Sequence, residues 1–566
     1  MSAAATLAGA APDLVPGWHG IDWRAVWHNV RRLQARIVKA LQVNRWGRVK
    51  ALVHLLTHSF SGRVAAVLRV TENQGAKTPG VDQEVWDSPE KKATAWPALR
   101  PRGYQPQPLR RVYIPKSNGK KRPLGIPTLH DRAMQALYLL GLDPIAETTG
   151  DPHSYGFRTG RCCADALQRC FQVLCHQTSA AWVLEGDIKS CFDRISHDWL
   201  LTHVPMNRVI LQKWLQAGFL EKGVWNATTE GTPQGGIISP VLANLTLDGL
   251  DQRLRERFAA TRPLRRRCKV HLVRYADDFV ITGSSRELLE QEVLPVVRQF
   301  LSERGLALSA AKTQLTHRAD GFDFLGQNVR SQGGKLLLRP ARPSVRRFLT
   351  KVREIIRHSG TLTAGQLIVR LNPVLRGWAA YHRHACSSTT FFHLDRALFQ
   401  SLWRWARRRH RHRSAGWLLR AYFGGIHGGR WAFRGDVPDQ DGGKEPVSLF
   451  WLTDMPLRRH VALRRGANPY DPTWEPYFEQ RVQTRLLGSL QGRQRVRTLW
   501  LYQEGRCPVC GQPLELERGW HLHHRQWRVY GGDDLLDNLC LVHPNCHRQV
   551  HALGWTEGSA SRAGHL

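Results

Sequence analysis

The sequence predicts a multidomain α/β protein, and three observations carry that expectation. From about residue 72 to 330, short apolar and β-branched runs alternate with Gly/Pro punctuation, as in mixed strands and helices. Helical apolar spacing dominates on both sides, over 20–70 and again over 344–384. Four of the 11 cysteines crowd between Cys507 and Cys546 among several histidines, which marks a small metal-stabilised module. A chain of 566 residues with 42% apolar content has length and core enough for about three to four domains.

Charge narrows the partners. Lys and Arg number 82 against 46 acidic residues, a formal +36, and such a field favours a polyanion. No apolar stretch approaches the roughly 18 to 20 residues that span a bilayer, so nucleic acid is expected and a membrane is not. Met1–Val15 is Ala-rich and lacks Lys and Arg, unlike a secretory signal or a transit peptide, so a cytoplasmic protein is expected. The other seven cysteines scatter between Cys162 and Cys386, which suits reduced thiols.

The elements follow in order. Trp23, Val26, Trp27, Val30, Leu33 and Ile37 recur at three- and four-residue spacing, predicting a basic amphipathic helix. Tyr113–Pro127 places a Ser-Asn-Gly turn between two extended segments, and its Lys116, Lys120, Lys121 and Arg122 suit a triphosphate. Asp187 ends the apolar run that begins at Ala181. Thr232–Pro240 opens an apolar helix, Val241–Leu250; its paired glycines permit close backbone approach to a base pair, and Gln234 can hydrogen-bond there. Tyr275-Ala276-Asp277-Asp278 stands between the runs Val270–Val273 and Phe279–Ile281, which predicts a β-hairpin with two carboxylates at its tip. Adjacent carboxylates repel unless a cation sits on them, and a sheet joining Asp187 to Asp277 would hold two magnesium ions, as displacement at phosphorus requires. That arrangement suggests a nucleotide polymerase palm.

After Gly326 the pattern turns helical through Ser344–His358 and Ala364–His384. No acidic residue lies between Arg396 and Gly435, and Arg404, Arg407, Arg408, Arg409, Arg411 and Arg413 interleave with Trp403 and Trp405. Phosphate contact with stacking on an unpaired base is the expectation, hence RNA binding. Gly424–Glu445 reads as a linker. In the last module Cys507, Cys510, His543 and Cys546 have the two-residue knuckle spacing of structural zinc, with Cys540 a rival to His543. His547 and His551 share a helix face and, with His523, could hold one divalent ion.

In this order the blocks resemble the reverse transcriptases encoded by group II introns. The resemblance runs through Thr71–Asp82, Ser154–Arg158, Asp187–Phe192, Thr232–Asn244, Tyr275–Asp278, Lys312-Thr313, Gly321–Gly326 and Leu371–Arg383. It implies a right-hand polymerase, with the helical N-terminal extension in 1–85 and the fingers and palm, mixed α+β, in 86–330. An α-helical thumb and maturase domain in 331–425 and a linker with a DNA-binding region in 426–495 would follow. The His523-His524 pair, Asn538 and the helix histidines resemble the HNH nucleases, which implies a small zinc-stabilised ββα-metal domain in 496–566. Catalytic carboxylates would fall on Asp187, Asp277 and Asp278, and nucleotide contacts on Lys116, Arg122, Gln234 and Lys312. Phe192 would be the aromatic that collides with a ribose 2′-hydroxyl. His524 would be the nuclease base, oriented by Asn538, and Arg376 would join the RNA-binding arginines.

Thr159 and Cys162 depart from the Pro and Ser usual in the family, and Leu308-Ser309 stands for Leu-Asn; none removes a carboxylate. The implied cofactors are magnesium for the polymerase and nuclease and zinc for the knuckles. The implied partners are a group II intron RNA, double-stranded target DNA and deoxynucleoside triphosphates, met in a bacterial cytoplasm on the nucleoid. An RNA-binding splicing factor is the rival reading, and a pure binder has no need of the carboxylates or the HNH set.

Overall fold

The computed structural model describes residues 17–553 apart from 116–118, 120, 233–234, 425, 428–429, 439–442, 490–493, 516–517, 527–532 and 534. Helix α1, Trp23–Gln42, buries Trp23, Val26, Val30, Leu33, Ile37 and Leu41 on one face, the stripe its apolar spacing dictates. It packs with α2, Trp46–His58, and α3, Phe60–Thr71, around the helix Leu129–Thr149. That central helix is buried on almost every side, which explains why its sequence carries no clear polar face.

Two four-stranded sheets follow. The first joins β1, Leu109–Pro115, and β2, Lys121–Ile126, to the short β4, Phe219–Glu221, and β5, Val224–Asn226, in the order β2-β1-β4-β5. The second contains β3, Trp182–Asp187, β6, His271–Tyr275, β7, Asp278–Gly283, and β8, Gln314–His317, in the order β6-β7-β3-β8. Its pairings are antiparallel, and β3 is set against β7 so that Asp187 lies opposite Asp278. At the preceding pair Gly186 faces Phe279, whose ring a Cβ at 186 would meet at 2.2 Å, so only glycine admits that ring beside the carboxylates. A three-stranded sheet of β9, Phe322–Phe324, β10, Gln327–Gln332, and β11, Lys335–Pro340, leads onward.

Beyond it the helices Arg342–Arg357, Ala364–His382, Ser388–Arg409 and Ala415–Tyr422 enclose a second core. The segment expected to be a linker forms a hairpin, Arg434–Pro438 with Lys444–Ser448, that packs on the helix Ala364–His382. Residues 456–489 then run back over the polymerase region. His460 Nε2 and Arg481 Nη2 both reach Asp165 Oδ1 at 2.8 Å, and Asn468 donates to Thr148 Oγ1 at 2.9 Å.

The last module is a β-hairpin, His521–His524 with Leu539–Val542, followed by the helix Pro544–Leu553. It docks on the N-terminal helices. Trp18 Nε1 donates to Asn545 Oδ1 at 3.1 Å, and Gln549 Nε2 to the carbonyls of His19 and Ile21 at 2.7 and 2.9 Å. Among the described residues no single helix is long and apolar enough to cross a membrane.

Candidate functional site

The β6–β7 hairpin turns through Ala276 and Asp277, with Ala276 in the left-handed region at φ 58°. An alanine there costs about 1–2 kcal/mol, so the turn needs outside support. Arg274, fully buried, supplies it: its guanidinium donates to Asn244 Oδ1 at 3.2 Å, to the Ala276 carbonyl at 3.4 Å and to Asp248. Gly156 packs against the other side, where a Cβ would stand 2.4 Å from the Ala276 nitrogen. Sequence reasoning missed Arg274; its signal was a charge inside an otherwise apolar strand.

The register and the turn bring Asp187, Asp277 and Asp278 together. Asp278 keeps contact with solvent, yet desolvation by the surrounding chain, then the charges of Asp277 and Asp187, push its carboxyl up to about 6. Desolvation likewise raises Asp277, and Asp187 adds to the effect. Lys312 Nζ lies 2.9 and 3.0 Å from the two oxygens of Asp187, and that contact raises the lysine. Three crowded carboxylates, with the exposed Lys312 on Asp187, form an all-oxygen donor set that fits hard divalent cations.

The Arg122 charge reaches Asp277 from β2 and opposes part of that rise. Phe192 follows β3 on the short helix Cys191–Arg194, half-buried, with its carbonyl taking a bond from Thr232 N at 2.6 Å. Lys116 and Gln234 lie outside the described residues. Gly235 has φ 125°, and a Cβ there would strike the Gly125 carbonyl of β2 at 2.7 Å, so this glycine lets the loop close on the chain's own strand.

In the terminal module the ligand atoms of Cys507, Cys510, His543 and Cys546 lie within 4.8 Å of one another, all four residues buried. His543 therefore belongs to this group. Its rival Cys540 sits on the strand opposite His523. Such a soft, buried N/S set fits tetrahedral zinc.

The ligand atoms of His523, His547 and His551 form a second group within 4.8 Å. His523 Nε2 is buried and has no hydrogen-bond partner among the described residues, an orphan that a metal would satisfy. Burial, then His551, lowers both His523 and His547 to about 4, so both rings stay neutral as ligands must. His521, two residues before His523 on the same strand face, adds a contact to His547, Nδ1 to Nδ1 at 3.3 Å; period-two alternation was its unread signal. His524 follows His523 on that strand. Asn538 closes the adjoining loop: it accepts from Gln526 N at 2.7 Å and donates to the Asp533 and Gln526 carbonyls at 2.7 and 3.1 Å.

The arginine cluster lies at the end of the helix Ser388–Arg409 and just beyond it, with all six residues exposed. The aromatic partners depart from expectation. Trp405 is 3% exposed and donates to the Ser359 carbonyl at 3.0 Å, so it is not offered to a base, and Trp403 is half-buried against the same core. The period of the helix turns both inward while the arginines face out. Arg409 is spent on the chain itself, donating to the carbonyls of Gly360 and Leu362 at 3.1 and 2.9 Å. Arg376 lies over the Phe450 ring at 4.4 Å.

Comparison with known proteins follows the same partition. Residues 18–99 match the N-terminal domain of reverse transcriptase, and 114–329 match the reverse transcriptase (RNA-dependent DNA polymerase) family. Residues 345–423 match the group II intron maturase-specific domain, and 507–553 the HNH endonucleases. The chain is 36% identical over 332 residues to Protein YkfC of Escherichia coli (strain K12), covering 51% of this chain and 86% of that protein. It is 32% identical over 320 residues to the group II intron-encoded protein LtrA of Lactococcus lactis subsp. cremoris, covering 46% of this chain and 53% of that one. An uncharacterized 91 kDa protein in the cob intron of Schizosaccharomyces pombe is 30% identical over 355 residues, covering 49% and 43%. The matched stretch thus spans about half or less of the last two relatives. Fingers, palm, maturase and nuclease stand in one chain and in one order, and the chain belongs to the group II intron-encoded proteins, RNA-directed DNA polymerases joined to a maturase domain and an HNH endonuclease domain.

Proposed function

We propose that this chain carries out intron mobility as one ribonucleoprotein with its intron RNA: the RNA inserts into one strand of a duplex target, the HNH domain nicks the other, and the palm extends the new 3′-hydroxyl from deoxynucleoside triphosphates. The observation that carries the reading is the register that sets Asp187 opposite Asp278, with Asp277 in the turn beside them. Magnesium held by Asp187 and Asp277 would supply charge neutralisation on both sides of the phosphorus undergoing displacement. Arg122, with Lys116, takes the triphosphate, and Gln234 contacts the incoming nucleotide. Phe192 excludes a 2′-hydroxyl. Lys312 lies on Asp187, and a cation held by that carboxylate would leave its ammonium beside the site, where it could give a proton to the departing pyrophosphate.

In the nuclease His524 takes the proton of the attacking water, and Asn538 holds the loop beside it in place. His523, His547 and His551 hold the ion that would polarise the scissile phosphate. Cys507, Cys510, His543 and Cys546 hold zinc, which stiffens a module too small for a large core. The exposed arginines bind the intron RNA through its phosphates.

Primer extension on an RNA template tests the reading. Replacing Asp277 and Asp278 together with Ala should abolish synthesis while RNA binding stays within about twofold, because affinity resides in the basic surface. Parental extension by that variant would overturn the assignment.

A further inference from the structure

The loop 151–161 is fastened at two points. On one side Gly156 lies against the Ala276 nitrogen, its carbonyl accepts from Asn244 Nδ2 at 2.9 Å, and Tyr155 N donates to the Arg274 carbonyl at 2.9 Å. On the other, Arg158 donates to Glu147 Oε2 at 2.7 Å and to the carbonyls of Asp151 and Ser154. Between these anchored residues Phe157 turns outward. It is 53% exposed, its backbone is left-handed at φ 58°, and its ring centroid lies 6.3 Å from that of Phe192, edge to face. A bulky aromatic is among the least suited residues for that backbone region, and here it hides little of its apolar ring in return. Strain and exposure fall together one residue from Gly156, which abuts the turn carrying Asp277, and an unfavourable backbone held beside a site is a pointer to function.

We infer that Phe157 grips the terminal base pair of the template–primer duplex, one position behind the nucleotide whose sugar Phe192 inspects. Successive nucleotides of a strand are spaced by about 3.4 Å along the duplex, so a ring 6.3 Å from the Phe192 ring lies within about two steps of the inspected nucleotide, a reach that includes the terminal pair. The contact is coupled to chemistry, since Gly156 abuts the turn that carries Asp277. A mispaired terminus that pushes on Phe157 is therefore felt at the catalytic hairpin. The inference rests on the polymerase reading above and names which residue reads the primer end.

The test uses the full chain with an RNA template and a DNA primer, comparing Phe157→Asn, Phe157→Tyr and Phe192→Val. Asn tolerates the left-handed backbone well, so Phe157→Asn removes the ring without adding strain. It should release template–primer about tenfold faster and lose about tenfold of its preference for a matched over a mismatched terminus, with sugar selectivity within about twofold of parental. Phe157→Tyr should restore both, and Phe192→Val should lose sugar selectivity alone. Parental release and parental terminus preference in Phe157→Asn would overturn the inference, as would a loss of sugar selectivity matching that of Phe192→Val. Should Phe157→Asn fail to fold, Phe157→Gly, which removes the ring and carries no left-handed strain, makes the same comparison. Release needs no catalysis, so a parental chain that extends nothing would sink the polymerase reading and leave the grip to be judged by release alone.

Discussion

Asp187 and the Asp277-Asp278 pair were legible because each ends or begins an apolar run, and an acid in that place has few structural uses. Their supports were not legible. Arg274 works through Asn244, Asp248 and Ala276, and only the fold brings those together. The same holds for His382, fully buried between palm and thumb, where it meets Gln327 Nε2 at 2.7 Å and Ser344 Oγ at 3.4 Å. Burial lowers this imidazole to about 4. Since the unfolded ring titrates near 6.5, its contribution is complete above about 6.5 and is lost as pH falls toward 4, by up to about 3 kcal/mol. Denaturation midpoints should fall across that window, and His382→Gln should flatten the slope. An identical slope in the variant would show that other groups set the acid lability.

Among the elements, the helix Ser388–Arg409 shows how far periodicity carries. Its arginine run was legible, whereas its length was not read and the division of labour among its arginines could not be, because Arg409 answers to carbonyls about 47–49 residues away in sequence. Neutralising Arg404, Arg407, Arg408 and Arg411 should weaken RNA binding and reduce the salt slope by about 0.7–0.9 for each phosphate that is no longer neutralised. Arg409→Gln alone should instead cost about 1 kcal/mol of thumb stability with a smaller effect on that slope. Salt-dependent binding and thermal melting separate the two; a slope unchanged in the fourfold variant would remove this face from the RNA interface. The zinc knuckles were readable from spacing, but choosing between His543 and Cys540 needed the hairpin register that turns Cys540 away. Cys507→Ser should open residues 496–553 to proteolysis and halve bound zinc or worse, with primer extension retained. Full protease resistance without zinc would mean that docking on Trp18 and Ile21 suffices to hold the module.

At the scale of the molecule, composition pointed to nucleic acid and the motif order to the layout of domains. What sequence could not supply was attachment. The nuclease module is seated on the N-terminal helices through Asn545 and Gln549, and the segment 456–489 is bolted to the palm at Asp165. Both depend on pairs of residues more than 290 positions apart, which no local pattern reports. Two chemistries are thereby held on one body, each with its own group of side chains that could hold an ion. The most direct test is strand-specific nicking and extension of a target duplex by the reconstituted ribonucleoprotein with magnesium. The Asp277→Ala, Asp278→Ala double variant should nick and not extend, while His524→Ala should leave the duplex unnicked yet extend an added primer at the parental rate. Nicking by His524→Ala at the parental rate, or extension by the double variant, would contradict the account.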